Sequence, residues 1–264
     1  MASCPVCSCA NPPHGGTVYL VGAGPGDPGL LTMRASELLA GASVVFHDYL
    51  VSAGVLARCS PEARLVNVGK VGHGPQTAQR SIERQLVASA RAGHRVVRLK
   101  GGDPLLFGRG AEEALALAAA GIPFEIVPGV SSALAAPAYA GIPVTARGYA
   151  TSVAIVTGHS TAGTPAAIPA ADTIVVLLGI ANAAAIRDQL LATGRAPQTP
   201  VAIIEWGTCE AQRVVTCTLE TLPDLIANEH LGAPSILVIG EVVRLRDRLD
   251  WHGKAARPLE TCLQ

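Results

Sequence analysis

Three ionisable side chains stand at points where apolar segments of the chain end. Asp48 and Lys70 each follow such a segment, and Asp103 lies in the glycine loop Lys100–Pro104. An aspartate in this position can accept a proton, bind a ribose hydroxyl or cap the next turn. Asp103, beside glycines that allow close backbone approach, suits a ligand that carries positive charge or hydroxyls, although an Asp-Pro turn has the same pattern. Lys70 taken alone is more typical of a solvated lysine than of an acid.

A second glycine loop, Gly22–Pro28, first suggests a dinucleotide fingerprint. That fingerprint needs its third glycine at position 27, where Asp27 stands. Pro25 and Pro28 also lack the N–H groups that would cradle a pyrophosphate, and the carboxylate of Asp27 would repel it. The loop therefore disfavours an NAD-dependent oxidoreductase, and a tight strand-to-helix turn is the plain alternative.

Alternating strand and helix patterns place these loops at strand ends. The strands predicted in the first half are Thr17–Val21, Ser43–Phe46, Arg64–Val68, Arg95–Leu99 and Phe124–Val127. The helices predicted between and after them are Leu31–Leu39, Thr77–Ala92, Gly108–Ala120 and Ser131–Ala140. Such alternation predicts a mostly parallel sheet with helices on its faces, and binding sites in such sheets lie beyond the carboxyl ends of the strands. Both glycine loops, Asp48 and Lys70 are thus expected at one edge.

The second half has a different pattern. Strands are predicted at Ser152–Thr157, Thr173–Leu178, Val201–Glu205, Val214–Leu219 and Ser235–Ile239, and helices at Ala183–Ala192 and Leu222–Glu229. Residues 212–219 favour a hairpin arm over a crossover strand, which predicts a mixed sheet. We expect a tail at 1–16, α/β domains at 17–145 and 146–254, and a second tail at 255–264.

Composition excludes several classes of function. The 264 residues carry no net charge, which disfavours a nucleic-acid partner. No apolar run is long enough to span a membrane and no leader pattern is visible, so a cytoplasmic chain is expected. Cys4, Cys7 and Cys9 could bind zinc or an iron–sulfur centre if a ligand such as His14 completed the set, but a tail of reduced thiols is favoured and no metal is expected.

The order of the motifs resembles the uroporphyrinogen-III C-methyltransferase family. The matching stretches are VYLVGAGPGDPGLLTMRA, FHDYLVS, NVGK, VVRLKGGDPLLFGRGAEE, PFEIVPGVSSALAAPAYAGIPVTARG, VTGH and PSILVIGEVVRLRDRLDW, which together cover about residues 17–252. The resemblance implies a two-domain class III tetrapyrrole methyltransferase with an active cleft between the domains, usually a homodimer. It also implies S-adenosyl-L-methionine (SAM) as methyl donor and uroporphyrinogen III as substrate, methylated at ring carbons 2 and 7 to give precorrin-2 and S-adenosylhomocysteine for sirohaem or cobalamin synthesis.

The same resemblance assigns roles to residues of this chain. Asp48 and Lys70 match the family's proton acceptor and proton donor. The SAM-binding positions that it implies are Pro25, Gly101, Gly102, Asp103, Leu106, Ser131, Ser132, Leu178 and Gly207. Because guanidinium groups pair with carboxylates in a bidentate manner, Arg109 and Arg147 are expected to bind the carboxylates of the substrate.

Three positions depart from the family pattern. Leu178 stands where Met is usual, Ser131 where Thr is usual, and Ala146 where His is common. None of these departures removes a proposed catalytic residue. The chain also lacks the dehydrogenase and ferrochelatase module of fused sirohaem synthases, so we expect the reaction to stop at precorrin-2. The alternatives are a methylase of the same fold that acts on precorrin-2 or a later intermediate, an NAD-dependent oxidoreductase, and a regulator that binds SAM or tetrapyrrole without catalysis.

Overall fold

The computed structural model describes residues 16–69, 79–159 and 167–252, which form two compact units. The described residues of the N-terminal unit are 16–23, 31–69 and 79–129. Those of the C-terminal unit are 24–30, 130–159 and 167–252. The first glycine loop thus belongs largely to the C-terminal unit, although it follows the first strand of the N-terminal one.

The N-terminal unit is built on a five-stranded parallel sheet. Its strands are β1 (Val18–Gly22), β2 (Val44–His47), β3 (Arg64–Asn67), β4 (Val96–Lys100) and β5 (Phe124–Val127), in the order β3-β2-β4-β1-β5. All five residues of the central strand β4 are buried. This burial is expected of a strand that is covered on both faces. The parallel arrangement places every carboxyl end at one edge of the sheet.

Helices cover both faces of this sheet. They are α1 (Met33–Ala40), α2 (Ala53–Leu56), α3 (Gln79–Arg91) and α4 (Gly110–Ala119). Ile82, Leu86 and Ala90 recur every four residues along α3 and are all buried, as the predicted amphipathic pattern requires. They pack in one core cluster with Phe46, whereas residues of α1 pack in a separate cluster with Val45. Neighbouring residues of a strand thus enter different cores.

The C-terminal unit contains a mixed sheet. Its strands are β6 (Val153–Thr157), β7 (Thr173–Leu177), β8 (Pro200–Glu205), β9 (Arg213–Thr218) and β10 (Ser235–Ile239), in the order β6-β7-β10-β8-β9. Strands β6 and β7 are parallel, and the other neighbouring pairs are antiparallel. The helices of this unit are α5 (Ser132–Tyr139), α6 (Ala183–Ala192), α7 (Leu222–Asn228) and α8 (Arg246–Leu249). Residues of α6 and α7 share a core cluster with β7, β8 and β10.

The predicted fold is confirmed in both halves. The first sheet is parallel and the second is mixed, with β8 and β9 forming the predicted antiparallel hairpin. The compact units change over between Gly129 and Val130, before α5, whereas the predicted domain boundary follows that helix. The position of α5 accounts for this difference, because the helix packs against β7 and β10 of the mixed sheet. Among the described residues, no helix has the length and apolar character needed to cross a membrane.

An exposed carboxylate fixes the amino ends of β6 and β7. One oxygen of Asp172 accepts hydrogen bonds from the backbone N–H of Thr151 at 2.7 Å, from its hydroxyl at 2.9 Å, and from the N–H of Ser152 at 3.1 Å. The bond from the Thr151 N–H, followed by those from the two hydroxyls and the Ser152 N–H, lowers the pKa of Asp172 from 3.8 to about 2. Since folding lowers this pKa, the carboxylate stabilises the fold above the unfolded value and loses that effect as pH falls through the folded one.

Replacement of Asp172 by alanine should therefore change the acid part of the stability profile. At neutral pH we expect Asp172→Ala to unfold at lower urea concentration than the wild type. The difference should shrink as pH falls from 3.8 to about 2, because the wild type then loses the contribution that the variant lacks. Urea unfolding at a series of pH values checks this, and parallel profiles would contradict it.

Candidate functional site

Asp48 lies at the carboxyl edge of the parallel sheet, directly after β2. Its backbone N–H donates to the carbonyl of Leu99 at 3.1 Å, which continues the pairing of β2 with β4. Its side chain is 32% exposed. Oδ1 accepts a hydrogen bond from Arg98 Nη2 at 2.5 Å, and Oδ2 accepts one from the N–H of Gly101 at 3.2 Å. Asp48 is therefore held from two sides beside the second glycine loop, with part of its carboxylate open to solvent.

Asp103 organises that second loop. Its Oδ1 accepts from the N–H of Leu105 at 2.8 Å and its Oδ2 from the N–H of Gly129 at 3.1 Å. The carboxylate thereby joins the loop after β4 to the turn after β5. A carboxylate offers about four lone-pair positions, and the two bonds seen among the described residues leave about two of them for a ligand. The sequence suggested either a turn or a ligand site at Asp103. The two are compatible, because Asp103 forms a turn and keeps acceptor capacity.

Three glycines meet where β1, β4 and β5 end. A Cβ on Gly22 would lie 2.5 Å from the Cα of Gly129 and 2.6 Å from the carbonyl oxygen of Gly102. A Cβ on Gly129 would lie only 2.2 Å from that same oxygen. Gly102 itself has φ +65°, a conformation that favours glycine. The absence of side chains therefore lets the three backbone segments pack directly against one another at this edge. Next to them Gly101 is exposed, and a Cβ there would meet no other heavy atom of the described residues within 4 Å.

The substitution Gly129→Ala should disturb this edge. We expect it to destabilise the fold by about 1–3 kcal/mol, because the added methyl overlaps backbone atoms that cannot move independently. Gly232→Ala is the matched control, because a Cβ there meets no other heavy atom of the described residues within 4 Å. Urea unfolding of both variants checks the prediction. Equal stability of the two variants would contradict it, because the glycines at this edge would then tolerate the added methyl group.

Charged side chains are buried beneath Asp48. Arg98 and Lys100 of β4 are each 2% exposed, and Glu113 of α4 is fully buried. Glu113 Oε1 accepts from Arg98 Nε at 3.0 Å and from Lys100 Nζ at 3.2 Å. Burial, followed by the neighbouring Arg98 cation, lowers the pKa of Lys100. Burial would also lower the pKa of Arg98, but the carboxylates of Asp48 and Glu113 together raise it.

The segment that leads into α4 carries Leu106 and Arg109. Leu106 is partly buried, and Arg109 is exposed. Phe107 and Arg109 have φ values of 53° and 60°, a left-handed conformation that is uncommon for residues with a side chain. The guanidinium of Arg109 pairs with Glu112 at 2.9 Å. Such an exposed pair contributes little to stability, so an incoming carboxylate can replace Glu112 at small cost.

In the C-terminal unit, Leu178 and Gly207 follow strands that end at the same edge. Strand β10 is antiparallel to both β7 and β8, so those two strands run in the same direction. Leu178 has φ +57° and is 54% exposed. Gly207 packs against α5, because a Cβ there would lie 2.4 Å from the Cβ of Ala136. The exposed, strained leucine marks this edge as a candidate site, since such strain is common at ligand-binding positions.

Pro25 lies in the first glycine loop, which is bound to the loop that carries Gly207. The N–H of Asp27 donates to Thr208 Oγ1 at 3.2 Å, and the hydroxyl of Tyr139 donates to Asp27 Oδ2 at 2.6 Å. Asp27 therefore has a structural role in this unit. This geometry supports the sequence interpretation that the loop is not a pyrophosphate cradle.

Ser131, Ser132 and Arg147 complete the predicted positions of this unit. Ser131 is buried and caps α5, because its hydroxyl accepts from the N–H of Ala133 at 3.2 Å. The smaller serine thus keeps the acceptor that the usual threonine would supply. Ser132 begins α5, and Arg147 is exposed.

The structure brings some of the predicted residues together and leaves one undescribed. Asp48 and Gly101 are in direct contact in the N-terminal unit, and the loops of Pro25 and Gly207 are joined in the C-terminal one. Lys70 lies outside the described residues. Sequence reasoning missed Arg98 and Glu113; a cation inside the apolar strand VVRLK was the signal that could have found them.

The His, Cys, Asp and Glu side chains bear on metal binding and on thiol chemistry. Among residues 16–69, 79–159 and 167–252, no group of three His, Cys, Asp or Glu side chains could hold a metal ion. Cys4, Cys7, Cys9 and His14 lie outside those ranges. Burial, followed by the nearby carboxylate of Asp27, raises the pKa of Cys209, and this disfavours a nucleophilic thiolate there.

Comparison with known proteins identifies the family. The model of the tetrapyrrole (corrin/porphyrin) methylases matches residues 17–223. The chain belongs to this methylase family. Its sequence is 45% identical to a crystal structure of uroporphyrin-III C-methyltransferase from Thermus thermophilus, with a TM-score of 0.78 and coverage of 89% of this chain and 98% of that one. The two-domain methyltransferase fold predicted from the sequence is thereby confirmed.

Two further relatives of this methylase chain bear on its function. A second structure of the Thermus thermophilus enzyme, complexed with S-adenyl homocysteine, is 42% identical with a TM-score of 0.76, over 87% of this chain and all of that one (100%). The siroheme synthase of Pseudomonas fluorescens strain Pf0-1 is 49% identical over 241 residues, which are 89% of this chain and 52% of that protein. The chain spans about half the length of the curated relatives it matches.

Proposed function

We propose that the chain is a SAM-dependent methyltransferase that converts uroporphyrinogen III to precorrin-2. The observation that carries this proposal is the 45% identity to a uroporphyrin-III C-methyltransferase over nearly the whole length (98%) of that enzyme. The complex of its Thermus thermophilus relative with S-adenyl homocysteine supports SAM as methyl donor. Methylation at ring carbons 2 and 7 and use of the product for sirohaem or cobalamin are part of the proposal.

The residues of the N-terminal unit fit a cationic ligand with hydroxyl groups. SAM, when bound, supplies a methyl group on a positively charged sulfur. A Cβ on Gly101 would meet no other heavy atom of the described residues within 4 Å, so the backbone there is open to close approach, and Asp103 retains acceptor capacity nearby. We assign Gly101, Gly102, Asp103 and Leu106 to SAM binding, as the family resemblance implies, and the geometry of Gly101 and Asp103 supports this assignment.

The resemblance assigns a second set of SAM-binding residues in the C-terminal unit. These are Pro25, Ser131, Ser132, Leu178 and Gly207. Leu178 offers an exposed apolar surface, although it lacks the polarisable sulfur of the usual methionine. The contacts between the Asp27 and Thr208 loops support a common role for Pro25 and Gly207.

The proposed roles in catalysis concern protons and substrate position. A new carbon–carbon bond forms at an electron-rich pyrrole carbon while the bond between that methyl and sulfur breaks, and the ring must later release a proton. Asp48, whose carboxylate is partly exposed, is proposed to stabilise the cationic ring or accept that proton. Lys70 is the proposed donor, and Arg109 and Arg147 are proposed to bind substrate carboxylates. Alignment of the reacting atoms supplies most of the rate enhancement.

A second candidate is methylation of a later corrin intermediate by the same fold. The family description includes corrin as well as porphyrin methylases, which is the observation that favours it. A regulator without catalytic activity is a third possibility. We also propose that the chain acts as a homodimer, as the family resemblance implies, and that it works in the cytoplasm, as the sequence analysis predicts.

Substrate comparison tests the proposal. The purified chain is incubated with SAM and, in separate anaerobic reactions, with uroporphyrinogen III, with precorrin-2 or with no tetrapyrrole, and release of S-adenosylhomocysteine is followed. We expect release with uroporphyrinogen III and only background without tetrapyrrole. Release with precorrin-2 alone would favour the corrin methylase, and binding of SAM without release in any reaction would favour the regulator.

A further inference from the structure

The three buried charges beneath Asp48 have no part in the proposed chemistry. Arg98 and Glu113 are 2% and 0% exposed, and Lys100 is 2% exposed. Apolar residues of similar volume at such positions are often as stabilising as a buried ion pair or more so. Stability alone therefore gives little reason for this cluster, and its geometry suggests another role.

Arg98 connects Asp48 to the interior through every nitrogen of its guanidinium. Nε donates to Glu113 at 3.0 Å, and Nη2 donates to Asp48 at 2.5 Å. Nη1 donates to the backbone carbonyls of Phe46 at 3.4 Å and Leu99 at 3.2 Å. The planar group is thus fixed by contacts to α4, β2 and β4, and the position of Nη2 determines where Oδ1 of Asp48 lies.

Lys100 shares the buried partner Glu113 with Arg98, but it lacks the bond that Arg98 makes to Asp48. Its ammonium donates to Glu113 Oε1 at 3.2 Å, beside the bond from Arg98. Gln79 Nε2 donates to the same oxygen at 3.2 Å. Within the described residues, the Asp48 carboxylate bonds to Arg98 and the N–H of Gly101, and not to Lys100. Lys100 therefore offers a buried cation of equal depth against which a role of Arg98 can be measured.

We propose that Arg98, held in place by Glu113, is a positioning residue that fixes the carboxylate of Asp48 for methyl transfer. The inference rests on the proposed function, because Asp48 is the proton acceptor of that reaction. Arg98 does not reach the ligand in this scheme and acts only through Asp48. The second glycine loop has its own supports in the two hydrogen bonds that Asp103 accepts, so loss of Arg98 should leave SAM binding largely intact.

Arg98→Lys is the main test. It keeps the positive charge, but a single ammonium cannot serve Glu113 and Asp48 through separate nitrogens as the guanidinium does. We expect the turnover number to fall on the order of 100-fold, the size of effect that small misplacement of a catalytic group produces. The dissociation constant for SAM, measured by calorimetry, should stay near the wild-type value. Lys100→Met, the matched control, should keep near wild-type turnover even if it is less stable.

Several outcomes would overturn the inference. Turnover of Arg98→Lys at the wild-type rate would do so, as would an equal loss in Lys100→Met, which would indicate general destabilisation. If Arg98→Lys does not fold, Glu113→Gln takes its place, because its amide oxygen keeps one acceptor for Arg98 while the charge is lost. A smaller but measurable loss of turnover with unchanged SAM affinity supports the proposal, and wild-type turnover overturns it.

Methylation by the wild-type chain distinguishes failure of this inference from failure of the proposed function. Absence of methylation by the wild type would refute the proposed function but not the positioning of Asp48. A crystal structure of Arg98→Lys then decides the matter. A carboxylate of Asp48 that has turned away from the N–H of Gly101 is the expected result, and an unchanged carboxylate overturns the inference.

Discussion

Replacement of Asp48 by alanine is expected to lower the turnover number by about 10²–10⁴-fold, the usual contribution of a positioned acid or base. SAM should still bind, because the second glycine loop is also held by Asp103 through the N–H groups of Leu105 and Gly129. Turnover is measured by S-adenosylhomocysteine release and SAM affinity by calorimetry. A fall in turnover with unchanged affinity separates a chemical role from a structural one.

The matched control for Asp48 is Glu125→Ala. Glu125 also pairs with an arginine, since Arg34 donates to its two oxygens at 2.9 and 2.7 Å, and its side chain is 39% exposed against 32% for Asp48. It lies in β5 and has no assigned role in the reaction. We expect Glu125→Ala to turn over like the wild type. If Asp48→Ala turns over as fast as this control, Asp48 has only a structural role at the end of β2.

Replacement of Asp103 by alanine is expected to weaken SAM binding on the order of 10- to 100-fold, because hydrogen bonds to a charged group contribute about 1.5–3 kcal/mol. Two effects combine in this loss. The loop loses its connection to Gly129 at 3.1 Å, and the remaining acceptor positions for the ligand disappear. Calorimetric titration with SAM measures the change directly.

Two further variants, Asp103→Asn and Asp172→Ala, show whether the loss of SAM affinity is specific to Asp103. Asparagine can keep the bond from Leu105, but its amide nitrogen would then face the N–H of Gly129, so we expect SAM affinity between those of the wild type and Asp103→Ala. Asp172 also accepts backbone hydrogen bonds but lies at the amino ends of its strands. Loss of SAM affinity in Asp172→Ala equal to that in Asp103→Ala would mean that general loosening of the fold explains both.

The hydrophobic pattern of the sequence predicted the helices and strands well, because the buried residues follow that pattern closely. The spacing of Ile82, Leu86 and Ala90 predicted α3, and the apolar run at the end of β10 predicted a strand, all five residues of which are buried. The start of α1 differed from the prediction, since the chain first makes a short 3-10 turn at Pro28–Leu30 and the helix then begins after its cap, Thr32. Local turn geometry of this kind depends on contacts that periodicity does not contain.

The candidate site could be predicted only where its residues are local in sequence. Asp48 and the Gly101–Asp103 loop stand at strand ends, and the parallel sheet places those ends at one edge. The bonds from Tyr139 to Asp27 and from Arg98 to Glu113 join different elements, so they depend on tertiary packing and not on local spacing. The left-handed conformation of Leu178 likewise carries no signal in its residue type.

The central claim is that this chain transfers two methyl groups from SAM to uroporphyrinogen III. Its most direct test is an anaerobic incubation of the purified chain with uroporphyrinogen III and SAM whose methyl carries carbon-13, followed by mass and NMR analysis of the product. We predict a product with two labelled methyl groups, at ring carbons 2 and 7, and a matching amount of S-adenosylhomocysteine. Recovery of unlabelled uroporphyrinogen III by a folded chain that binds SAM would contradict the claim.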